Sequence, residues 1–466
     1  MIKKLLANVG DYKKASLLTP VYVAGEVALD VIMPLIMAMM IDQGIEKGHA
    51  GVILRYGGLL FLCSLLALML GTLGGRTAAI ASAGFARNLR HNLFSKIQDF
   101  SFSNIDRFSS SSLITRMTTD VTNVQNAYQM IIRILVRSPL ILVFSLIMVS
   151  TISPELMLVY LVVLPILAIG LALVIRFAHP LFLKVFRIYD RLNNVVQENL
   201  QGIRVVKSYV REEQQEELFD EVSNDVYRNF TLAQRIVSFN MPLMQFSIYS
   251  CMLLLSWFGA QLIVEHSSLT TGELVSMFNY TMQILMSLMM MSMAFVQILI
   301  ARTSAQRVVE VLDEESDLKN PASPLTEVKD GSIVFENACF SYANDQTRLA
   351  LENVNLRIES GEVIGIIGGT GSAKSTLVQL IPRLYDVIDG RVLVGGQDVR
   401  AYDLAALRDQ VSMVLQNNVL FSGTISENLR WGNAEATDEE IQRVAKIAQA
   451  DPFIQEFPDK YDTLIS

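Results

Sequence analysis

Charge is scarce in this chain. Asp, Glu, Lys and Arg make up 18% of its 466 residues, against roughly 25% in an ordinary soluble protein, while 51% of the residues are hydrophobic. The shortfall is local. Long apolar runs fill residues 1 to 312, and the remainder reads as a soluble domain. A basic surplus is missing too: 38 Lys and Arg stand against 46 Asp and Glu, a net charge of −8, so no concentrated basic face is available to a nucleic acid. Cysteine is almost absent. Cys63, Cys251 and Cys339 lie far apart in the chain and read as small buried hydrophobes. A cleavable leader is also lacking. "MIKKLLANVGDYKKAS" has too short an apolar stretch and no small-residue cleavage site, and it reads as a lysine-bearing helix lying on a membrane surface.

What the chain does have is six apolar runs, each near the ~20 residues that cross a bilayer: 17–42, 52–75, 129–151, 156–178, 241–264 and 272–300. The first, third and fifth joins are short, "DQGIEKGHAG", "TISPE" and "EHSSLTTGE". The second and fourth, 76–128 and 179–240, are long, polar, helical in pattern and rich in Arg and Lys. Positive charge collects on the cytoplasmic side, which puts both termini and the long joins there, with the spans continuing past the bilayer as rods. Each long join has a break, at "SFSNIDRFSSSS" (101–112) and at "ENLQGIRVVKSYVREE" (198–213), where Gly202 follows a helix. The two tips read either as contact points for a cytoplasmic domain or as plain helix–turn–helix tips.

Some polar and soft residues sit inside the spans. Glu26 and Asp30 are four residues apart, hence on one helix face, and carboxylates at that depth are costly unless they face protein, water or a cation. They read either as a site for a cationic substrate or a proton, or as groups facing a wet cavity or an internal Arg or Lys. Arg133 and Arg137, at the cytoplasmic end of the third span, are read as snorkelling or lining a vestibule. The last span is rich in methionine. Met286, Met290 and Met293 either line a cavity for varied apolar molecules or serve lipid contact and helix packing. Glu26, Asp30 and these three methionines are the candidate substrate cavity.

Polar "DEESDLKNPASPLTEVKDG" marks a linker at 313–330, which divides a membrane domain (1–312) from a domain at 331–466. There "SIVFENACFSY" reads as a strand, "VIGIIGG" (363–369) as a buried central strand, and "STLVQLIPRLY" as a helix. Between the last two lies "GGTGSAKST", the phosphate-loop pattern G-x-x-x-x-G-K-[ST] with Ala373 where glycine stands before the lysine. The chemistry accounts for the residue types. Gly368, Gly369, Thr370, Gly371, Ser372 and Ala373 present backbone N–H groups to phosphate oxygens. The start of the helix, with Thr376, adds its free N–H groups. Lys374 reaches the β- and γ-phosphates, and the Ser375 hydroxyl ligates Mg²⁺. If position 373 needs positive φ, its Cβ costs about 1 kcal/mol, so binding is expected to persist, weakened by at most about tenfold.

Along nearly its whole length the chain resembles a half-transporter of the ABC exporter family. "FSYANDQTRLALENVNLRIESGEVIGIIGGTGSAKSTL" is similar to the start of that family's nucleotide-binding domain, and "VSMVLQNNVLFSGTISENLRWG" to its glutamine loop. "SFSNIDRFSSSSLITRMTTDV" and "QENLQGIRVVKSYVREE" resemble the intracellular loops that dock on the ATPase domains. The resemblance implies an all-α polytopic membrane domain followed by an α/β P-loop ATPase domain. It implies ATP and Mg²⁺ as cofactors, with Tyr342 stacked on adenine and Gln416 sensing the γ-phosphate and Mg²⁺. It also implies a second half-transporter, identical or different, as partner, a lipid surround and a small amphipathic substrate in a bacterial inner membrane. The family's signature, its Mg²⁺-binding Asp with the catalytic Glu, and its switch His do not occur in residues 1–466. By that comparison the ATPase domain is incomplete at its C-terminus, the chain is part of a longer protein, and it holds no catalytic residue with which to hydrolyse ATP alone. A degenerate, ATP-retaining regulatory half is the alternative, and a six-span channel with an accessory nucleotide domain a third reading.

Overall fold

The computed structural model describes every residue except Ser267, Ser268, Asn417 and Ser466, and gives His179, Phe186, Asp190 and His266 as backbone only. Part of the fifth join, one residue of the glutamine loop and the final residue therefore lie outside the described residues. The chain divides into two compact units, Met1–Phe100 with Asn104–Ser316, and Asp317–Ser466 with Ser101–Ser103.

The first unit is helical. A short α1 (Ile2–Ala7) leads into α2 (Lys13–Met40), α3 (Ala50–Gln98), α4 (Phe102–Phe108), α5 (Ser110–Thr115) and α6 (Val121–Ile152). Then come α7 (Pro154–Ser208), α8 (Glu212–Ser238), α9 (Asn240–Gln261) and α10 (Thr271–Asp313). Among the described residues six helical stretches are long and apolar enough to cross a membrane, and they contain the six runs read from the sequence. At 1.5 Å per residue the 49-residue α3 and 55-residue α7 are about 70–80 Å long, more than twice the ~30 Å hydrocarbon layer.

The break in the fourth join is not where glycine suggested. α7 runs through Gly202 to Ser208, and the turn falls at Tyr209–Arg211, where Val210 has φ +52°. One glycine costs a helix only about 1 kcal/mol, too little to end a helix of this length.

Valines at 23, 27 and 31 recur every four residues and so share one face of α2. They are buried against Val149, Leu156, Tyr160, Met277, Tyr280 and Ile284. Two buried tyrosine hydroxyls here are satisfied inside the bundle, as a bilayer requires. The Tyr160 hydroxyl donates to the Met277 carbonyl at 3.0 Å, and the Tyr280 hydroxyl to the Val31 carbonyl at 2.8 Å. Pro34 lies within α2 and has no N–H for the carbonyl of Asp30, its i−4 partner. Gln283 of α10 supplies the missing donor, at 3.0 Å.

A second cluster sits where the rods extend beyond the spans, around Phe85, Leu89, Leu93, Phe108, Val121 and Val308. Arg116 is buried there. It donates to Glu310 and to the Arg307 carbonyl, both at 2.7 Å, while Arg307 reaches buried Asp120 at 2.5 Å.

The second unit is built on an antiparallel sheet of β1 (Ile333–Phe340), β2 (Leu351–Ile358), β3 (Asp389–Val394) and β4 (Gln397–Asp398), in the order β2-β1-β3-β4. Phe335, Phe340, Val392 and Val394 bury one face with Leu380, Tyr402 and Leu407. The strand read at 333–340 is present. The central strand read at 363–369 is not: the segment is unpaired coil, with Val363 and Ile367 each 98% exposed. A parallel strand exists only through hydrogen bonds to a neighbour, and among the described residues no strand lies beside it.

Candidate functional site

The phosphate loop leads directly into α11 (Lys374–Gln379). This helix is shorter than "STLVQLIPRLY" suggested. It stops at Gln379, the chain turns, and Pro382 and Arg383 (φ +51°) follow. A proline disfavours helical backbone in the residue before it, which accounts for the early end. α11 is held to the sheet by Leu377 and buried Leu380, so its first turn has a firm base although the segment before the loop is unpaired.

Ala373 sits at the N-cap of α11 with φ +57° and ψ +25°, the left-handed region. Position 373 therefore does need positive φ, and alanine bears a strain that glycine would not. Gly371 also has positive φ, +85°, and a Cβ added to Gly369 or Gly371 would meet nothing within 4 Å, which leaves the loop open on its outer side. The loop is closed within by Ser372, whose N–H (3.3 Å) and hydroxyl (2.9 Å) both donate to the Gly369 carbonyl. Lys374 folds back over it, donating to the carbonyls of Gly368 (2.9 Å) and Gly369 (2.8 Å) and to Ser372 Oγ (3.3 Å). Its ammonium group thus lies in the curve of the loop, where phosphate oxygens would replace the carbonyls. The Ser375 hydroxyl is exposed. An open loop with a lysine across it and a free hydroxyl at its base fits a nucleotide triphosphate.

Tyr342 stands beside this helix. Its hydroxyl shares a 2.9 Å hydrogen bond with Thr376 Oγ1. Its ring packs edge-on against Phe340 at 4.9 Å and Tyr385 at 5.3 Å. It is 53% exposed, leaving ring surface for a flat ligand. The turn after it is set by Asp345, which accepts from the Thr347 N–H (2.9 Å) and hydroxyl (2.8 Å). These two bonds, the backbone one first, hold the Asp345 carboxyl below its usual range. The fold thus brings together Tyr342, Thr376, Lys374 and the loop, which are 34 residues apart at their widest hydrogen bond. It does not bring in Gln416, which is exposed at the end of the unpaired coil 411–416 and has no side-chain hydrogen bond among the described residues. Among those residues no three His, Cys, Asp or Glu converge to hold a metal ion, so Mg²⁺ would be held by Ser375 together with the nucleotide's own oxygens.

In the membrane unit Glu26 and Asp30 share one cation. Arg137 of α6 lies 3.2 Å from Glu26 and 2.9 Å from Asp30. Arg137 is thus an internal Arg that the carboxylate face of α2 meets. The sequence contains the signal for this pairing, since a charge inside a span needs an opposite one, but not which of the nearby arginines is chosen. Met286, Met290 and Met293 are exposed on α10. Met293 lines a cavity of about 110 Å³ with Leu167, Leu171, Asn240, Met244 and Met289. Glu26 lines a different groove, so the structure does not join the five candidate residues into one cavity.

Comparison with known proteins gives the family. Residues 18–289 match the ABC transporter transmembrane region, and residues 351–466 match the ABC transporter family. The chain is 34% identical over 464 residues to the uncharacterized ABC transporter ATP-binding protein YfiB of Bacillus subtilis, covering 100% of this chain and 80% of YfiB. It is 33% identical over 435 residues to the uncharacterized ABC transporter ATP-binding protein Rv1273c of Mycobacterium tuberculosis, covering 91% of this chain and 73% of that one. It is 25% identical over 471 residues to the putative ABC transporter ATP-binding protein exp8 of Streptococcus pneumoniae, covering 100% and 79%. With one membrane region fused to one ATPase region on a single chain, this protein belongs to the ABC transporter family as a half-transporter.

Proposed function

We propose that the protein is one subunit of an ATP-driven exporter that moves amphipathic substrates, whether drug-like, lipid or peptide, out of a bacterial cell across its inner membrane. The single observation that carries the reading is the phosphate loop and Tyr342, hydrogen-bonded into one site on a chain whose described residues include six helices long and apolar enough to cross a membrane. Bound Mg-ATP would supply the free energy of hydrolysis. The chain's own residues bind and orient it: Lys374 and the loop N–H groups neutralise phosphate charge, Ser375 holds the metal side, and Tyr342 covers the base. Residues 1–466 contribute the loop half of a composite site. A second half-transporter, identical or different, would complete the site, and closure of the paired ATPase domains would switch the spans between inward and outward access. Both termini would lie in the cytoplasm. In this reading Glu26, Asp30, Met286, Met290 and Met293 face the substrate path.

A regulatory half that retains ATP beside a catalytic partner is the second reading, favoured by the strained Ala373 at the N-cap of the loop helix. Inside-out vesicles carrying the assembled transporter test the main reading. It requires ATP-dependent uptake of an amphipathic fluorescent probe that disappears with Lys374→Ala. Uptake indifferent to that substitution would shift the catalytic role to the partner, and probe flux only down its gradient would mark a channel instead.

A further inference from the structure

Beside the Glu26–Arg137 pair, α2, α3 and α6 border a wide-open groove of about 660 Å³. Its polar wall is Glu26, Thr72, Arg76 and Arg133, and Gly71 and Gly75 form its floor. The glycines make room for the charges. A Cβ on Gly71 would lie 3.2 Å from the Glu26 carboxyl carbon, and one on Gly75 would lie 3.6 Å from an Arg133 nitrogen.

The charges do not balance. Glu26 and Asp30 are both taken by Arg137. Among the described residues neither Arg76 nor Arg133 has an ion-pair or hydrogen-bond partner. Three guanidinium groups thus stand against two carboxylates, with one positive charge left over. Arg133 is half-buried inside the third apolar run, where an uncompensated charge is costly and calls for a counter-ion. The groove also has a direction. Leu68 continues its wall and is exposed. It lies two helical turns, about 12 Å, from Arg76 on the same face of α3. A ligand filling the groove therefore meets guanidinium at one end and hydrocarbon at the other.

We propose that this groove binds the anionic phosphate headgroup of a membrane lipid, with Arg76 and Arg133 on the phosphate oxygens and the acyl chain along Leu68. Guanidinium matches phosphate in charge and in its fork of donors, and basic pockets between spanning helices select such headgroups. Leu68 favours a lipid over a free phosphate ion. The site goes beyond the exporter reading and stands whether or not the protein exports, because binding here requires no nucleotide.

The test is lipid binding to the purified protein in neutral detergent, read by native mass spectrometry. Phosphatidylglycerol is compared with phosphatidylcholine, with inorganic phosphate as competitor. The parent should prefer phosphatidylglycerol. Arg76→Gln with Arg133→Gln should cut its affinity on the order of fivefold per arginine. The matching double lysine variant should keep most of it, and Arg176→Gln, outside the groove, should change nothing. The proposal is overturned if the double glutamine variant binds phosphatidylglycerol as the parent does, or if the lysine and glutamine variants lose it equally. Displacement of the lipid by millimolar inorganic phosphate would likewise overturn the lipid assignment.

Discussion

At the scale of single residues, Ala373 is the most informative position. Its φ of +57° means that Ala373→Gly relieves a strain of about 1 kcal/mol. The variant should bind a fluorescent ATP analogue up to about fivefold more tightly than the parent. Weaker binding by the glycine variant in an equilibrium titration would contradict this account of the loop. Tyr342 separates into ring and hydroxyl. Tyr342→Phe removes only the hydroxyl's bonds, to Thr376 at 2.9 Å and to Gln379 at 3.4 Å, and should cost about 1 kcal/mol or less, whereas Tyr342→Ala removes the stacking surface and should weaken binding about tenfold. Equal losses in the same titration would mean that the ring does not touch the ligand. Much of this site was legible in the sequence. Lys374, Ser375 and the glycines follow a spacing that only phosphate chemistry demands, and the need for positive φ at 373 could be stated as a condition. The hydroxyl bond between Tyr342 and Thr376 could not, because it depends on how β1 and α11 pack on each other.

At the scale of elements, the bundle is held by polar links that no periodicity displays. Pro34 frees the Asp30 carbonyl, and Gln283 of α10 occupies it, while the Asp30 carboxylate is held by Arg137 of α6. Removing Arg137 should leave both carboxylates without their ion-pair partner. Arg137→Gln is expected to destabilise the membrane unit by about 3 kcal/mol. Adding Glu26→Gln and Asp30→Asn should recover most of that loss in a thermal melt. No recovery would show that Arg137 matters for some reason other than these charges. At the other end of α2, Asp42 accepts from the Gly272 N–H at 2.8 Å and from the Thr270 hydroxyl at 2.7 Å, and a Cβ on Gly272 would crowd the Ala38 carbonyl and Asp42. Gly272→Ala should therefore cost about 1–3 kcal/mol by forcing α10 away from α2, read from the same melt.

Helix existence was legible because twenty apolar residues in a row have one physical solution in lipid. The turn at Tyr209–Arg211 was not, because a lone glycine is a weak signal beside the packing of α7 on α8. The strand read at 363–369 illustrates the opposite limit. Its apolar run is right for a buried strand, but hydrophobicity sets only what a segment could pair with, and pairing requires a neighbour.

At the scale of the whole molecule, the account joins a bundle of spanning helices to a nucleotide site on one chain. The order of spans, polar linker, strand, phosphate loop and helix was readable from composition and motif, whereas the antiparallel sheet β2-β1-β3-β4 was not. What the bundle carries is less legible, because the substrate depends on side chains brought together from distant helices. Arg76 and Arg133 are 57 positions apart in number yet line one groove. The claim on which transport depends is that this site binds nucleotide through its loop. Equilibrium titration of the purified protein with a fluorescent Mg-ATP analogue tests it most directly. The account requires saturable binding that Lys374→Ala weakens at least about tenfold, the loss of one charge-assisted contact. Absent binding, or binding that Lys374→Ala leaves unchanged, would contradict it.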